Sequence, residues 1–161
     1  VIAAINGHCL AGGFELMLGT DIRIAADHAV FGLPEAKHAL IPFAGALARI
    51  TRQLPQPLAM EMLLTGDTVP VAKMAAFGLV NRVVPVADVL PAALEIARRI
   101  AANGPVAVEA IKQVVTEAIG RPLAEGYALE TRAMDRVMAT EDAREGPRAF
   151  MERRKPVYHG R

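Results

Sequence analysis

Asn6-Gly7-His8-Cys9-Leu10-Ala11-Gly12-Gly13-Phe14-Glu15-Leu16 is the stretch on which the fold turns. It follows Val1-Ile2-Ala3-Ala4-Ile5, an apolar run that reads as a buried strand closed by the Asn6-Gly7 turn signal. Gly12-Gly13 then open a helical stretch, Phe14 to Gly19. The order is strand, glycine-rich turn, helix start. The first N–H groups of a helix lack an internal partner, and the dipole there favours negative charge. Glycine lets a ligand approach that backbone closely. Such a turn suits a phosphate, or an oxyanion that develops during a reaction. The phosphate loop, the dinucleotide G-x-G-x-x-G and the nucleophile elbow G-x-S-x-G are all absent. The oxyanion therefore leads, with a merely structural turn equally open for this segment alone.

Outward from this stretch, Asp21 to Ala26 alternates apolar and polar residues as a strand does, and Val30-Phe31 makes another short one before Gly32 and Pro34. Ala44 to Gln53, Pro57 to Leu64 and Val71 to Phe77 read as helices, the last capped by Gly78, and Leu79 to Val84 as an isolated strand. Three longer helices follow. Asp88 to Asn103 aligns Leu90, Leu94, Ala97 and Ala101; Pro105 to Ile119 aligns Val108, Ile111, Val115 and Ala118; Pro122 to Met138 aligns Leu123, Tyr127, Met134 and Met138. A last helix starts near Thr140, which Pro147 should bend or restart. No internal repeat is visible. Composition changes near residue 55, from mixed strand, glycine and short helix (1–55) to nearly all helix (56–161).

The 161 residues carry 18 basic and 17 acidic side chains, a formal charge of +1. That balance provides no global field for nucleic acid or an anionic membrane, so an anionic ligand must be held locally. No stretch of about eighteen apolar residues suggests a membrane span, and no secretory signal is visible. Cys9 is the only cysteine. It reads as a small buried hydrophobe in a reducing compartment, a bacterial cytoplasm first and a mitochondrial matrix second. The four histidines, His8, His28, His38 and His159, lack metal-ligand spacing, so neither a metal nor a redox cofactor is expected. Val1 opens a strand already under way, which suggests that a segment precedes it.

A second informative segment is Phe31-Gly32-Leu33-Pro34-Glu35, followed by Ile41-Pro42-Phe43-Ala44-Gly45. An acidic residue after a Gly-Leu-Pro turn in apolar surroundings suits proton transfer. A solvated loop glutamate or a helix-start charge remains an alternative for Glu35, as a dipole partner does for Glu15.

Taken together, Asn-Gly-x-x-x-x-Gly-Gly-x-Glu-Leu, Asp-Ile, Phe-Gly-x-Pro-Glu and Ile-Pro-x-Ala-Gly resemble the enoyl-CoA hydratase/isomerase (crotonase) family, in the C-terminal portion of its usual chain. The likeness continues through Leu64-Thr65-Gly66-Asp67, Gly78 to Val84, Asn103-Gly104-Pro105 and Glu141 to Gly146. It implies an α/β fold, the ββα spiral of the ClpP/crotonase kind, followed by a helical region that assembles a homotrimer or hexamer. It also implies a substrate, a 2-enoyl-CoA thioester, with coenzyme A as part of the substrate and no separate cofactor.

On the same resemblance Glu35 exchanges the α-carbon proton and Glu15 activates the attacking water. Gly12 supplies one oxyanion-hole N–H, the other coming from upstream of Val1. Gly13, Leu33, Pro34, Pro42 and Phe43 would line the substrate site. Phe150 and Arg153, in the Phe-x-Glu-Lys-Arg-like tail, would meet the adenine and phosphate of a neighbouring subunit's CoA. Phe43 departs from the family pattern, standing where hydratases commonly have glycine, and Gly45-Ala46 replaces the usual Gly-Gly. An isomerase, another lyase of this fold, and a non-catalytic acyl-CoA-binding relative are the rival expectations.

Overall fold

A computed structural model describes all 161 residues. Its first two strands, β1 (Ile2–Ile5) and β2 (His8–Leu10), are joined by the Asn6-Gly7 turn and lead into helix α1 (Gly12–Leu18). The pattern then recurs: β3 (Ile22–Ala26), β4 (Val30–Gly32) and a 3-10 turn, Pro34–His38, in place of the helix. Equivalent strands pair in parallel, Ile2 opposite Ile22 and His8 opposite Val30. Two small sheets result, ordered β1-β3-β6 and β2-β4-β5, with β5 (Val69–Pro70) antiparallel to β4 and β6 (Arg82–Val84) parallel to β3. Strand–strand–helix units stacked in this way are the spiral that the resemblance implied. The unit repeats with little sequence likeness, because most positions answer to burial rather than to a shared side chain.

Some local expectations need correcting. β2 arises within what reads as a turn, since His8, Cys9 and Leu10 find partners on β4. Leu79 to Val84 is not an isolated strand: only Arg82–Val84 is extended, and it completes the first sheet against β3. Ala44 to Gln53 divides into a single helical turn, α2 (Ala46–Arg49), and a 3-10 turn, Ile50–Arg52. Pro147 lies inside one continuous helix, α8 (Asp142–Met151).

By compactness the chain divides into residues 1–96 and 97–161. The change of composition at residue 55 falls within the first unit. In that unit α3 (Gln56–Thr65), α4 (Val71–Ala76) and the start of α5 (Val89–Ala101) supply Met62, Met74 and Val89 to a core built on Phe14, Phe31, Leu18, Ile24, Leu33, Ile50 and Leu79. Phe14 and Phe31 meet edge to face with ring centroids 6.1 Å apart, the geometry the ring quadrupoles favour. On α5 the buried residues are Val89 and Ala93, whereas Leu90 and Leu94, expected on the packed face, are exposed.

The second unit packs α6 (Pro105–Ala118) along α7 (Leu123–Met138). Between them runs an open apolar groove of about 460 Å³ lined by Ala110, Ile111, Val115, Met134 and Val137. The chain's end folds back onto α8: both carboxylate oxygens of buried Asp142 accept backbone N–H groups, from His159 and Gly160, at 2.8 Å. Gly146 leaves room for Tyr158, whose hydroxyl would stand 3.1 Å from a Cβ there. No helix is long and apolar enough to cross a membrane.

Candidate active site

The parallel pairing of β2 with β4 sends both chains out at the same end of the sheet. Ala11 N–H still bonds Gly32 O at 3.0 Å, so α1 and the Pro34–His38 turn start side by side. Gly12, Gly13 and Glu15 on one, and Leu33, Pro34 and Glu35 on the other, therefore belong to one rim. The strands leading here pair His8 with Val30, so Glu15 and Glu35 come from the same end of neighbouring units without being equivalent positions in them.

Ala11 is the N-cap of α1 at φ 49° and ψ −126°, a region that L-residues other than glycine rarely occupy. That conformation turns the peptide entering the helix and sets the direction of the Gly12 N–H. Gly12 and Gly13 are exposed, and a Cβ at either would meet nothing within 4 Å. No packing inside the chain requires these glycines; they leave the helix start open to something outside it.

Glu15 is buried, only 5% exposed, and its Oε1 accepts the Ala44 N–H at 2.8 Å. The Ile41-Pro42-Phe43-Ala44-Gly45 segment is thereby tied to the carboxylate. Gly45 has φ 99°, a conformation that L side chains rarely adopt, so this bend favours glycine. Glu35 sits in the first turn of the 3-10 segment, partly buried, and its Oε2 is enclosed without any hydrogen-bond partner. Its turn is pinned from outside by the Lys37–Asp67 ion pair at 2.6 Å.

The remaining candidates are distributed unevenly. Leu33 is fully buried in the core and Pro42 is buried. Pro34 is partly exposed, whereas Phe43 is 86% exposed. Its ring is not packed into the chain. In the second unit Phe150 and Arg153 are exposed at the end of α8. His38 is exposed beside Glu35's turn. Cys9 is buried, and burial, only partly offset by nearby Arg23, pushes its thiol up to about 11, which keeps it protonated and inert. No group of three His, Cys, Asp or Glu side chains could hold a metal ion.

Two features went unread in the sequence. One is the Ala44 N–H, since a main-chain donor has no residue signature. The other is Arg23, which alternation assigns to a solvent face but which is only 8% exposed. Its fork donates to Met17 O, Thr20 O and Leu79 O, and burial lowers its pKa. A charge between Ile22 and Ile24 in a strand that bonds to neighbours on both sides was the available signal.

Stacked strand–strand–helix units with a glycine-opened helix start and two carboxylates on one rim define a chain of the crotonase fold. It belongs to the enoyl-CoA hydratase/isomerase family, whose model matches residues 1–161. It is 44% identical over 161 residues to an enoyl-CoA hydratase of Mycobacterium tuberculosis, covering all of this chain and 60% of that protein. To a carnitinyl-CoA dehydratase of Proteus mirabilis it is 40% identical over 165 residues, covering all of this chain and 63% of the relative. The crystal structure of an enoyl-CoA hydratase from Bacillus anthracis matches with a TM-score of 0.97 at 43% identity, over all of this chain and 62% of that one. The chain thus spans less than two thirds of the length of these relatives.

Proposed function

We propose that the protein carrying this chain hydrates 2-enoyl-CoA thioesters to 3-hydroxyacyl-CoA. The observation that carries the reading is the unequal treatment of two carboxylates on one rim. Glu15 is held by a main-chain N–H, while Glu35 keeps a buried oxygen with no partner. Leaving such an acceptor orphaned costs about 1–3 kcal/mol, which a fold tolerates where a proton or ligand is to be taken up.

In this reading Glu15 orients a water and takes its proton as the oxygen bonds to the β-carbon. Glu35, protonated at the start, delivers its proton to the α-carbon, and the proton taken by Glu15 returns to Glu35 through solvent before the next turnover, so water adds across the double bond with no other reactant. Negative charge accumulates meanwhile on the thioester oxygen, toward which Gly12 N–H is one donor; losing one such donor costs about 3 kcal/mol. The second donor and much of the CoA contact would lie outside these residues. Phe150 and Arg153 would meet CoA of a neighbouring copy, the guanidinium on a phosphate. An isomerase reading shares the enolate but needs one carboxylate, and the presence of both glutamates favours hydration.

We further propose a homotrimer or hexamer assembled through residues of the helical region. Ile111, Val115, Leu123, Tyr127, Met134 and Met138 are exposed in the single chain, a larger apolar surface than a lone hairpin of helices keeps in water. Similarity to bacterial relatives favours the cytoplasm.

The test is hydration of crotonyl-CoA, followed by loss of enoyl-thioester absorbance, together with Glu35→Gln. Hydration should disappear in the variant with acyl-CoA binding kept. Wild-type turnover by the variant would overturn the role of Glu35, and isomerised 3-enoyl-CoA without hydration would replace the reaction.

A further inference from the structure

We propose that Arg23 is a positioning residue for this site: its guanidinium fixes the C-terminal end of α1, and through it the Glu15 carboxylate and the Gly12 amide. The inference rests on the hydratase reading of those two groups.

α1 has seven residues, too few to hold itself, and is placed by the packing of Phe14, Met17 and Leu18 in the core and by the bonds at its ends. At the N-terminal end the tie is Ala11 N–H to Gly32 O at 3.0 Å. At the other end it is Arg23. Nε donates to Met17 O at 3.1 Å and lies 3.3 Å from Thr20 Oγ1, while Nη2 donates to Thr20 O at 2.8 Å. Nη1 reaches away to Leu79 O at 3.2 Å, anchoring the fork to the segment before β6. Asn81 closes this anchor, its Oδ1 accepting Arg23 N–H at 2.8 Å and its own N–H bonding Arg23 O at 2.9 Å.

The chemistry fits the place. The last carbonyls of a helix carry the negative end of its dipole, and a cation there is favourable. A planar fork has donors in fixed directions, so one guanidinium ties Met17 O of α1 to Thr20 O of the loop that follows and to Leu79 O; an ammonium on a flexible stem cannot do this. Glu15 lies two residues before Met17, and its bond to Ala44 N–H is 2.8 Å long. A small rotation of α1 about its axis would break that bond and swing the Gly12 N–H with it. Burying a guanidinium is expensive, and an apolar residue between Ile22 and Ile24 would serve the sheet alone. Gln53 adds one bond from outside, Nε2 to Leu18 O at 2.9 Å, a second tie at the same end of α1 that does not link it to the loop or to Leu79.

The experiment compares Arg23→Met and Arg23→Lys with the parent in the whole protein, at a temperature where circular dichroism finds each equally folded. For crotonyl-CoA hydration, kcat should fall about 10–100-fold in Arg23→Met and less in Arg23→Lys, with KM within about twofold. Amide hydrogen exchange should accelerate in peptides covering residues 12–20 and stay unchanged in β1 and β3. Unchanged kcat in the folded variants, or exchange that rises evenly across residues 1–96, overturns the inference. Should Arg23→Met not fold, Thr20→Val removes the hydroxyl that Nε approaches and that itself donates to Met17 O at 2.7 Å. The same two readouts then decide, with a kcat loss of about two- to tenfold expected. If the parent itself turns over no enoyl-CoA, the hydratase reading fails, and exchange alone judges the clamp: opening confined to α1 upholds it and even opening overturns it.

Discussion

Ala11→Gly should make the protein more stable and slower. Ala11 holds φ 49° and ψ −126°, where a Cβ crowds the neighbouring main chain and a non-glycine residue carries about 1–3 kcal/mol of strain. Glycine removes that strain but loses about 0.4–1 kcal/mol through the greater freedom of the unfolded chain. Ala11 is half-buried, so the missing methyl subtracts about half of the 0.8 kcal/mol of a buried methylene. The central values leave a net gain near 1 kcal/mol, which raises Tm by about 2–4 °C in a protein of this size. The same change frees the peptide that aims the Gly12 N–H, so kcat for hydration should drop several-fold while KM changes little. Urea unfolding and initial-rate kinetics on crotonyl-CoA measure the two effects. A Gly variant clearly less stable than the parent would refute the strain argument, since strain near the middle of its range exceeds the methyl and chain-freedom losses together. Ala11→Val, a β-branched residue in the same conformation, should be markedly destabilised and completes the comparison.

Other outcomes follow from the same geometry. Glu35→Gln should remove hydration and keep acyl-CoA binding, as titration with a non-reactive saturated acyl-CoA would report. Phe14→Ala, which empties a fully buried site against Phe31, should cost about 3–5 kcal/mol in denaturant unfolding. Glu145, bonded to Arg154, to Val157 N–H and to Arg148, is held down to about 2 from 4.5. Its lowered value means the folded form favours the carboxylate, so its contribution is complete above pH 4.5 and disappears as pH falls toward 2. Glu145→Gln should therefore loosen the tail at neutral pH, with parent and variant converging across that window when α8 exchange is followed.

The candidate site residues were named from motifs whose resemblance to one family runs along the chain. Glu15, Glu35, Gly12 and Gly13 stand in those motifs, on segments that leave the paired strands β2 and β4 at one end. β1 and β3 were legible because a continuous apolar run and an apolar–polar alternation mark an extended chain. The short elements were harder. β2, β5 and β6 have three residues or fewer, too few to show a period, and each is extended only because a distant strand offers it hydrogen bonds.

By itself the sequence determined the family, the alternation of strand and helix and the two carboxylates, because side-chain chemistry and hydrophobic period are local properties. Only the tertiary structure decided which carboxylate is held by Ala44 N–H, and which keeps an orphaned oxygen. It also decided that Leu33 faces the core while Phe43 faces out, and that Arg23 spends its charge on the end of α1. Each of these depends on main-chain donors and acceptors brought together from separate segments. Every residue but proline carries the same N–H and every residue the same C=O, so their pairing leaves no mark on the sequence until the chain is folded.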